Sequence, residues 1–147
     1  MSPTSFVLKP GDRSPPLNVV GIRINVLVSD TDSQAQHITL QTGEEGVGPP
    51  PHCHDWDESF YVTRGQLIFH CGGQTSVCEA GTLVHVPAGT VHAFAFGPGG
   101  GEMLEITGAG SRAIEMFRAL DREVPPGPVD VEKTVQVAGE YGLVFRL

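Results

Sequence analysis

One stretch limits the fold of this chain more than any other: Gly46-Val-Gly-Pro-Pro-Pro-His52-Cys-His54-Asp-Trp-Asp-Glu58, closing at Gly65. It sets two histidines at i and i+2 and a carboxylate four residues after the second. On a β-strand, residues i and i+2 project from the same face. Their Cα atoms then lie roughly 6.6 Å apart. Two imidazoles leaning from there reach one metal ion at bonds of about 2.0–2.1 Å, the zinc figure. The pair alone is a weak cue, and the rest of the chain decides its weight.

Composition supports a β-rich reading. Among 147 residues, 39% are hydrophobic and 18% charged, enough for a core and too apolar for a disordered chain. The 19 glycines and 12 prolines are scattered, which favours short strands and tight turns over a helical bundle. The formal net charge of −8, with no basic stripe, argues against nucleic acid as a partner. No long apolar run marks a signal peptide or a membrane span. Three irregularly spaced cysteines form no disulfide framework, so a cytoplasmic location is expected.

Along the chain, 1–18 reads as a Pro-rich extended arm. A strand is predicted over 19–28, with Ile22, Ile24 and Val26 on one face, and a second over 36–42, with Ile38 and Leu40 on one face. Strands follow over 59–63 and 66–71. Gly72-Gly73 is a two-residue hairpin signal that pairs Cys71 with Gln74 and Leu67 with Cys78, too far apart for Cys71 and Cys78 to bridge. Further strands are expected over 83–86, 91–96 and 102–107, with Gly97–Gly101 as a flexible loop. One helix is expected over 112–123, with Ser111 as N-cap and Ala113, Phe117 and Leu120 on one face. The tail 124–147 is mixed, and 143–147 reads as a last short strand or a docking segment. The whole reads as one domain: arm 1–18, β-barrel 19–109, helix 111–123, tail 124–147.

A second segment completes the opening one: Gly81-Thr-Leu-Val-His-Val-Pro87-Ala-Gly89-Thr-Val-His92. The two resemble the paired motifs of the cupin superfamily. The first fits G-x5-H-x-H-x3-E-x6-G through Gly46, His52, His54, Glu58 and Gly65. The second fits G-x5-P-x-G-x2-H through Gly81, Pro87, Gly89 and His92. The family's usual asparagine four residues on is Phe96 here. The resemblance implies an all-β fold, a small double-stranded β-helix (cupin jelly-roll) barrel, with one C-terminal helix. It implies one divalent transition metal ion held by His52, His54, Glu58 and His92. Imidazole suits Zn, Cu, Fe, Ni and Co, and the carboxylate suits Fe or Mn as well. The four motif glycines would sit at barrel corners, in backbone conformations costly to other residues.

The other histidines carry less. His37 and His70 read as packing or surface residues, and His85 has at most a minor pocket role. Cys53 should face away from the metal by strand alternation, while Asp55 and Trp56 could border the mouth. Parity places Phe60 with Glu58, and Phe94 and Phe96 with His92, predicting an aromatic-lined substrate pocket. A weaker resemblance, in Leu27-Val28-Ser29, the prolines before His52 and Met116–Leu120, is to single-domain proteins related to quercetin 2,3-dioxygenase. It implies a metal-dependent dioxygenase acting on a small aromatic or enolisable substrate, with Glu58 as ligand and catalytic base, its pKa raised by an apolar pocket. A non-catalytic sensor or storage cupin, or an isomerase or decarboxylase, uses the same ligands. A homodimer is expected by the same resemblance.

Overall fold

A computed structural model describes residues 3–147. Nine strands form one curled sheet: β1 (Leu17–Val19), β2 (Ile22–Val28), β3 (Gln36–Gly43), β4 (His52–Cys53), β5 (Glu58–Cys71), β6 (Gln74–Glu79), β7 (Leu83–Val86), β8 (His92–Gly108) and β9 (Val144–Phe145). Helices α1 (Ala113–Glu123) and α2 (Val131–Glu140) follow β8, and a single 3-10 turn lies at Pro10–Asp12 in the otherwise irregular arm.

β8 is the spine. It pairs antiparallel with β3, with β5 along nearly all of its length, and with β4 through His52 opposite His92. Two expected breaks in the sheet are absent. The strands over 59–63 and 66–71 are one bent strand, β5, whose register shifts on either side of Gly65. Gly97–Gly101 likewise does not separate two strands. Phe96 pairs with Leu67 and Gly101 with Gly65, so residues 97–100 bulge out opposite Gln66 within a continuous strand. Glycine carries this bulge because Gly99 and Gly100 have φ of 80° and 82°. The expected strand over 19–28 is in turn a hairpin, folded at Val20 and Gly21, which both have positive φ.

The Gly72-Gly73 hairpin has the predicted register, with Cys71 opposite Gln74 and Leu67 opposite Cys78, and all three cysteines are free. In α1, Ala113, Phe117 and Leu120 are buried as the periodicity requires, and the Ser111 hydroxyl accepts from the Ala113 N–H. The tail holds a second helix that the sequence reading did not find. Asp130 caps α2 by accepting from the Lys133 N–H, and Thr134, Val137 and Ala138 face inward. β9 then pairs with β4, and the Arg146 N–H donates to the Pro51 carbonyl, so the chain's end clamps the two-residue strand carrying His52.

The inner face of the sheet is not uniformly apolar. On β3, His37, Thr39 and Gln41 are all buried on one face, while the other face carries half-buried Ile38 and buried Leu40. Across β3, β8 and β5, Thr39, Glu105 and Phe60 stand in one row. A buried polar layer thus adjoins an aromatic one.

All four motif glycines have positive φ: 83° at Gly46, 68° at Gly65, 93° at Gly81 and 81° at Gly89. They differ in surroundings. A Cβ at Gly46 would meet nothing, whereas one at Gly65 would lie 2.2 Å from the Gly100 carbonyl oxygen. We therefore expect Gly46→Ala to cost about 1–2 kcal/mol, the left-handed backbone penalty alone. Gly65→Ala adds a collision with backbone and should lower the urea midpoint clearly further.

Candidate metal centre

The site is assembled by three short pieces of chain. β4 ends at Cys53, just before His54. The His54 carbonyl accepts from the Gly89 N–H at 2.7 Å, and Asp57 accepts from the Ala88 N–H at 2.9 Å. These two bonds lock the first motif to the turn of the second, from which the chain enters β8 at His92. Glu58 begins β5.

The side chains converge as the spacing predicts. His52, His54 and His92 are all buried, and their ligand atoms lie within 4.8 Å of one another. Each Nδ1 faces a backbone carbonyl: His52 to Pro50 at 2.9 Å, His54 to Trp56 at 3.0 Å, His92 to Thr90 at 2.9 Å. A carbonyl only accepts, so each Nδ1 carries the proton and each Nε2 of a neutral ring is a lone pair. Fixing the tautomer through Nδ1 is how metal-binding histidines are oriented in general.

Glu58 Oε2 lies 3.0 Å from His54 Nε2 and 3.1 Å from His92 Nε2. With the Nδ1 atoms already protonated, this brings lone pairs of two rings against a carboxylate oxygen. Only a cation resolves that contact, either a second proton on a ring or a metal ion. The donor set is therefore compatible with a metal ion held by the three histidines, and its chemistry fits a divalent transition metal.

Electrostatics divide the site. Burial first, then the neighbouring His92, lowers the His52 pKa to about 4. His92 moves the other way: burial pulls it down, but hydrogen bonding and the charge of Glu58 outweigh this and raise it. The expectation that burial in an apolar pocket raises Glu58 is not met. Burial does push it up, but once His54 and His92 carry a second proton, on Nε2, their hydrogen bonds, with one from Glu105, hold it well below the ordinary carboxylate range. The raised carboxyl is Glu105, through burial and the adjacent Glu58 charge, against the hydrogen bonds of Thr39 and Gln41. Thr39 Oγ1 donates to Glu105 Oε1 at 3.0 Å, and Gln41 Nε2 donates to Thr39 Oγ1 at 3.2 Å. Sequence reasoning missed this trio because on β3 it followed only the apolar parity of Ile38 and Leu40. The usable signal was Glu105 itself, in phase with Met103 on a strand whose other residues are mostly apolar.

A cavity of about 180 Å³ opens above the histidines. Its lining includes His52, His54, Glu58, Glu105, Gln41, Trp56 and Phe94, together with Met116, Phe117 and Leu120 of α1. Of the three phenylalanines predicted to line a pocket, only Phe94 does. Phe60 and Phe96 point inward as parity requires, but both pack edge-on against the Phe94 ring, at centroid distances of 5.3 and 6.0 Å. They fill the barrel beneath the cavity, Phe96 pressing on Gly43, where a Cβ would come within 2.2 Å of its ring. Parity gives the face of a strand but not the depth along the barrel.

Trp56 is buried and stacks on His54 at 4.3 Å and 12°, and its indole N–H lacks a partner. Asp55 is exposed. Cys53 borders a separate shallow cleft with Asp55 and Ala88. His85 and His70 are exposed and bond Ser59 and Thr75. His37 is buried and bonds the Ser33 carbonyl.

The comparisons with known proteins agree with this geometry. Residues 36–106 match the family model described as Cupin domain. Those residues form a cupin domain. Solved structures superpose on the chain at low sequence identity. KdgF from Halomonas sp. does so at a TM-score of 0.67 and 14% identity, over 76% of this chain and 99% of that one. An RmlC-like cupin from Shewanella frigidimarina gives 0.67 and 17%, over 78% and 99%. The polyketide cyclase RemF from Streptomyces resistomycificus gives 0.63 and 19%, over 71% and 80%. At these identities the likeness is one of fold. A search of curated sequences found no significant match. No described helix of this chain is long and apolar enough to cross a membrane.

The His52 shift predicts an acid-dependent instability of the metal-free protein. The unfolded chain protonates this ring near 6.5, whereas the folded one resists until about 4. The unfolded state thus gains protons that the folded state refuses, so the contribution is neutral above pH 6.5 and destabilising as pH falls toward 4. The size is about 3 kcal/mol. Urea midpoints of metal-free wild type and His52→Gln at several pH values check this, and the variant should show a shallower loss across that window.

Proposed function

We propose that this cupin is a metal-dependent dioxygenase acting on a small aromatic or enolisable organic substrate. The observation that carries the reading is the position of the histidine centre: three rings fixed by their Nδ1 bonds bring their ligand atoms within 4.8 Å of one another, and two of them, His52 and His54, line an apolar cavity with Glu58. His52, His54 and His92 would hold the metal, with Glu58 as fourth ligand. A divalent transition metal, when bound there, supplies a Lewis acid and, if redox-active, a path for electrons to O2.

The protein's own groups do the rest. The cavity wall excludes water and orients a flat substrate so that its enol or hydroxyl oxygen meets the centre. Phe94 supplies an aromatic wall, supported from beneath by Phe60 and Phe96. Glu58 is ionised and therefore able to accept the substrate's proton at Oε2. It is a weak base, which suits a substrate whose oxygen acid is strengthened by coordination to a cation. Glu105, Thr39 and Gln41 hold the other side of this carboxylate pair, so a proton reaching Glu58 arrives in a hydrogen-bonded chain. Homodimer formation is part of the same proposal, supported by Phe6 and Val7 lying exposed on the arm, and sedimentation tests it.

The direct test is to identify the metal in the purified protein, then follow O2 consumption by the Fe, Mn, Ni, Co and Cu forms with flavonols, β-diketones and catechols. At least one combination should consume O2. No uptake by any of them would sink the dioxygenase reading and leave binding without turnover. Glu58→Gln should keep metal yet lower kcat by about 10²–10⁴-fold, the range for loss of an acid–base group. Unchanged turnover would remove Glu58 from proton transfer.

A further inference from the structure

The cavity has two ends of different chemistry. Its floor is polar, formed by His52, His54 and the Glu58–Glu105 pair. From there the same cavity runs out between the barrel and α2 to Val129, Val131, Val135 and Leu147. Those four are 54%, 59%, 41% and 85% exposed. They form an apolar rim on the surface, continuous with the wall of the site.

The face of α2 shows that this rim belongs to the cavity. Val131, Thr134, Val135 and Ala138 stand at i, i+3, i+4 and i+7, on one side of the helix, and all four line the cavity. Thr134 and Ala138 are buried under it, while Val131 and Val135 emerge into solvent. A helix face meeting only water gains nothing from β-branched valine, which is a poorer helix former than Ala, Lys or Glu. No Lys or Arg lines the cavity anywhere, so nothing there favours an anionic group at the outer end.

Size gives the second half of the argument. An engineered apolar cavity of about 150 Å³ holds benzene. The 180 Å³ here spans the whole cavity from the histidines to the rim, so one ring nearly fills it and any further ring lies out along the open valines. A one-ring substrate would leave the rim exposed in the complex as well. A longer one would cover it.

Building on the proposed function, we propose that the substrate is elongated and amphipathic. Its oxygen-bearing head lies at the histidine centre, and an uncharged apolar body at least one ring longer than the enclosed space rests on Val131 and Val135. These two valines then set specificity for the length of the body, without touching the reacting atoms.

Three diketones that share a head and lengthen on one side only, by one phenyl ring at a time, test this: acetylacetone, benzoylacetone and 4-phenylbenzoylacetone. Their affinities for the protein with its native metal are measured by calorimetry, alongside the Val131→Ser/Val135→Ser double variant. Both positions are exposed, so the variant should fold, and its melting curve checks that. Kd should fall about tenfold per added ring, from partial burial of each ring's apolar surface. The double variant should leave acetylacetone unchanged and weaken 4-phenylbenzoylacetone about 3–10-fold. Equal affinities across the series would overturn the inference, as would an equal loss for all three in the variant. So would a variant that changes the sedimentation coefficient but not the affinities, since a second copy of the chain would then be what covers the rim. The two proposals fail differently. Graded binding without O2 uptake sinks the dioxygenase and leaves the elongated ligand, whereas uptake with flat affinities does the reverse. If none of the three binds, the assignment of this cavity to an enolisable substrate falls, and the inference with it.

Discussion

Everything at this site depends on where three protons sit. Each of the three imidazoles gives its Nδ1 proton to a carbonyl of its own local chain, two residues away in every case. The bonds are local, so the ring orientations are set by backbone geometry before any ion arrives. That explains the rigid surroundings. The prolines before His52, the stacked Trp56 beside His54 and the Pro87–Gly89 turn before His92 each fix the peptide that accepts one of those protons. A ring free to flip would present Nδ1 or Nε2 at random, and three such rings would not converge.

The same logic makes the neighbouring carboxylates intelligible. Glu58 and Glu105 are two buried acids close together, and two negative charges there would repel strongly. The asymmetry of their surroundings separates them. Glu58 faces two imidazole nitrogens, and a proton or metal ion on them favours its ionised form. Glu105 faces a hydroxyl and keeps its proton more readily, which lets it donate toward Glu58 and satisfy that carboxylate's remaining capacity. The polar layer of Thr39, Gln41 and Glu105 therefore supports the centre from the side the histidines leave open.

The clustering of the candidate ligands was legible from the sequence because spacing encodes it. His52, His54, Glu58 and His92 stand at offsets that a strand and a tight turn convert directly into proximity, and the glycine at each corner marks where the turn must be. Elements that depend on long-range partners were not legible. Gly97–Gly101 reads as a loop because five such residues seldom continue a strand, yet β5 and β3 hold the flanking segments in register and the glycines become a bulge. Helix α2 was hidden for another reason: its inward face is Thr134, Val137 and Ala138, too small and mixed to show a strong apolar stripe, and its valines look like strand residues. Glu105 and Gln41 escaped because only the apolar parity of these strands was followed. Around the buried Glu58 the inward face carries polar groups, Thr39, Gln41 and Glu105, while Leu40 on the other parity of β3 is buried as well.

The C-terminal 17 residues join the two halves of the site. Residues of α2 form the outer wall of the cavity, and β9, a few residues later, pairs with the strand that carries His52. Phe145 belongs to both, lying opposite His52 in the sheet and lining the cavity. The histidine centre and the substrate space therefore rest on one continuous segment rather than on independent supports. A ligand that presses α2 against the barrel stabilises the same segment that holds β4. An ion that orders His52 likewise favours the position of β9 from which α2 is placed. Each occupancy should make the other easier, through ordering of shared chain and without any movement of the barrel. The barrel supplies rigidity, and this terminal segment supplies the coupling between what is bound at the floor and what is bound at the rim.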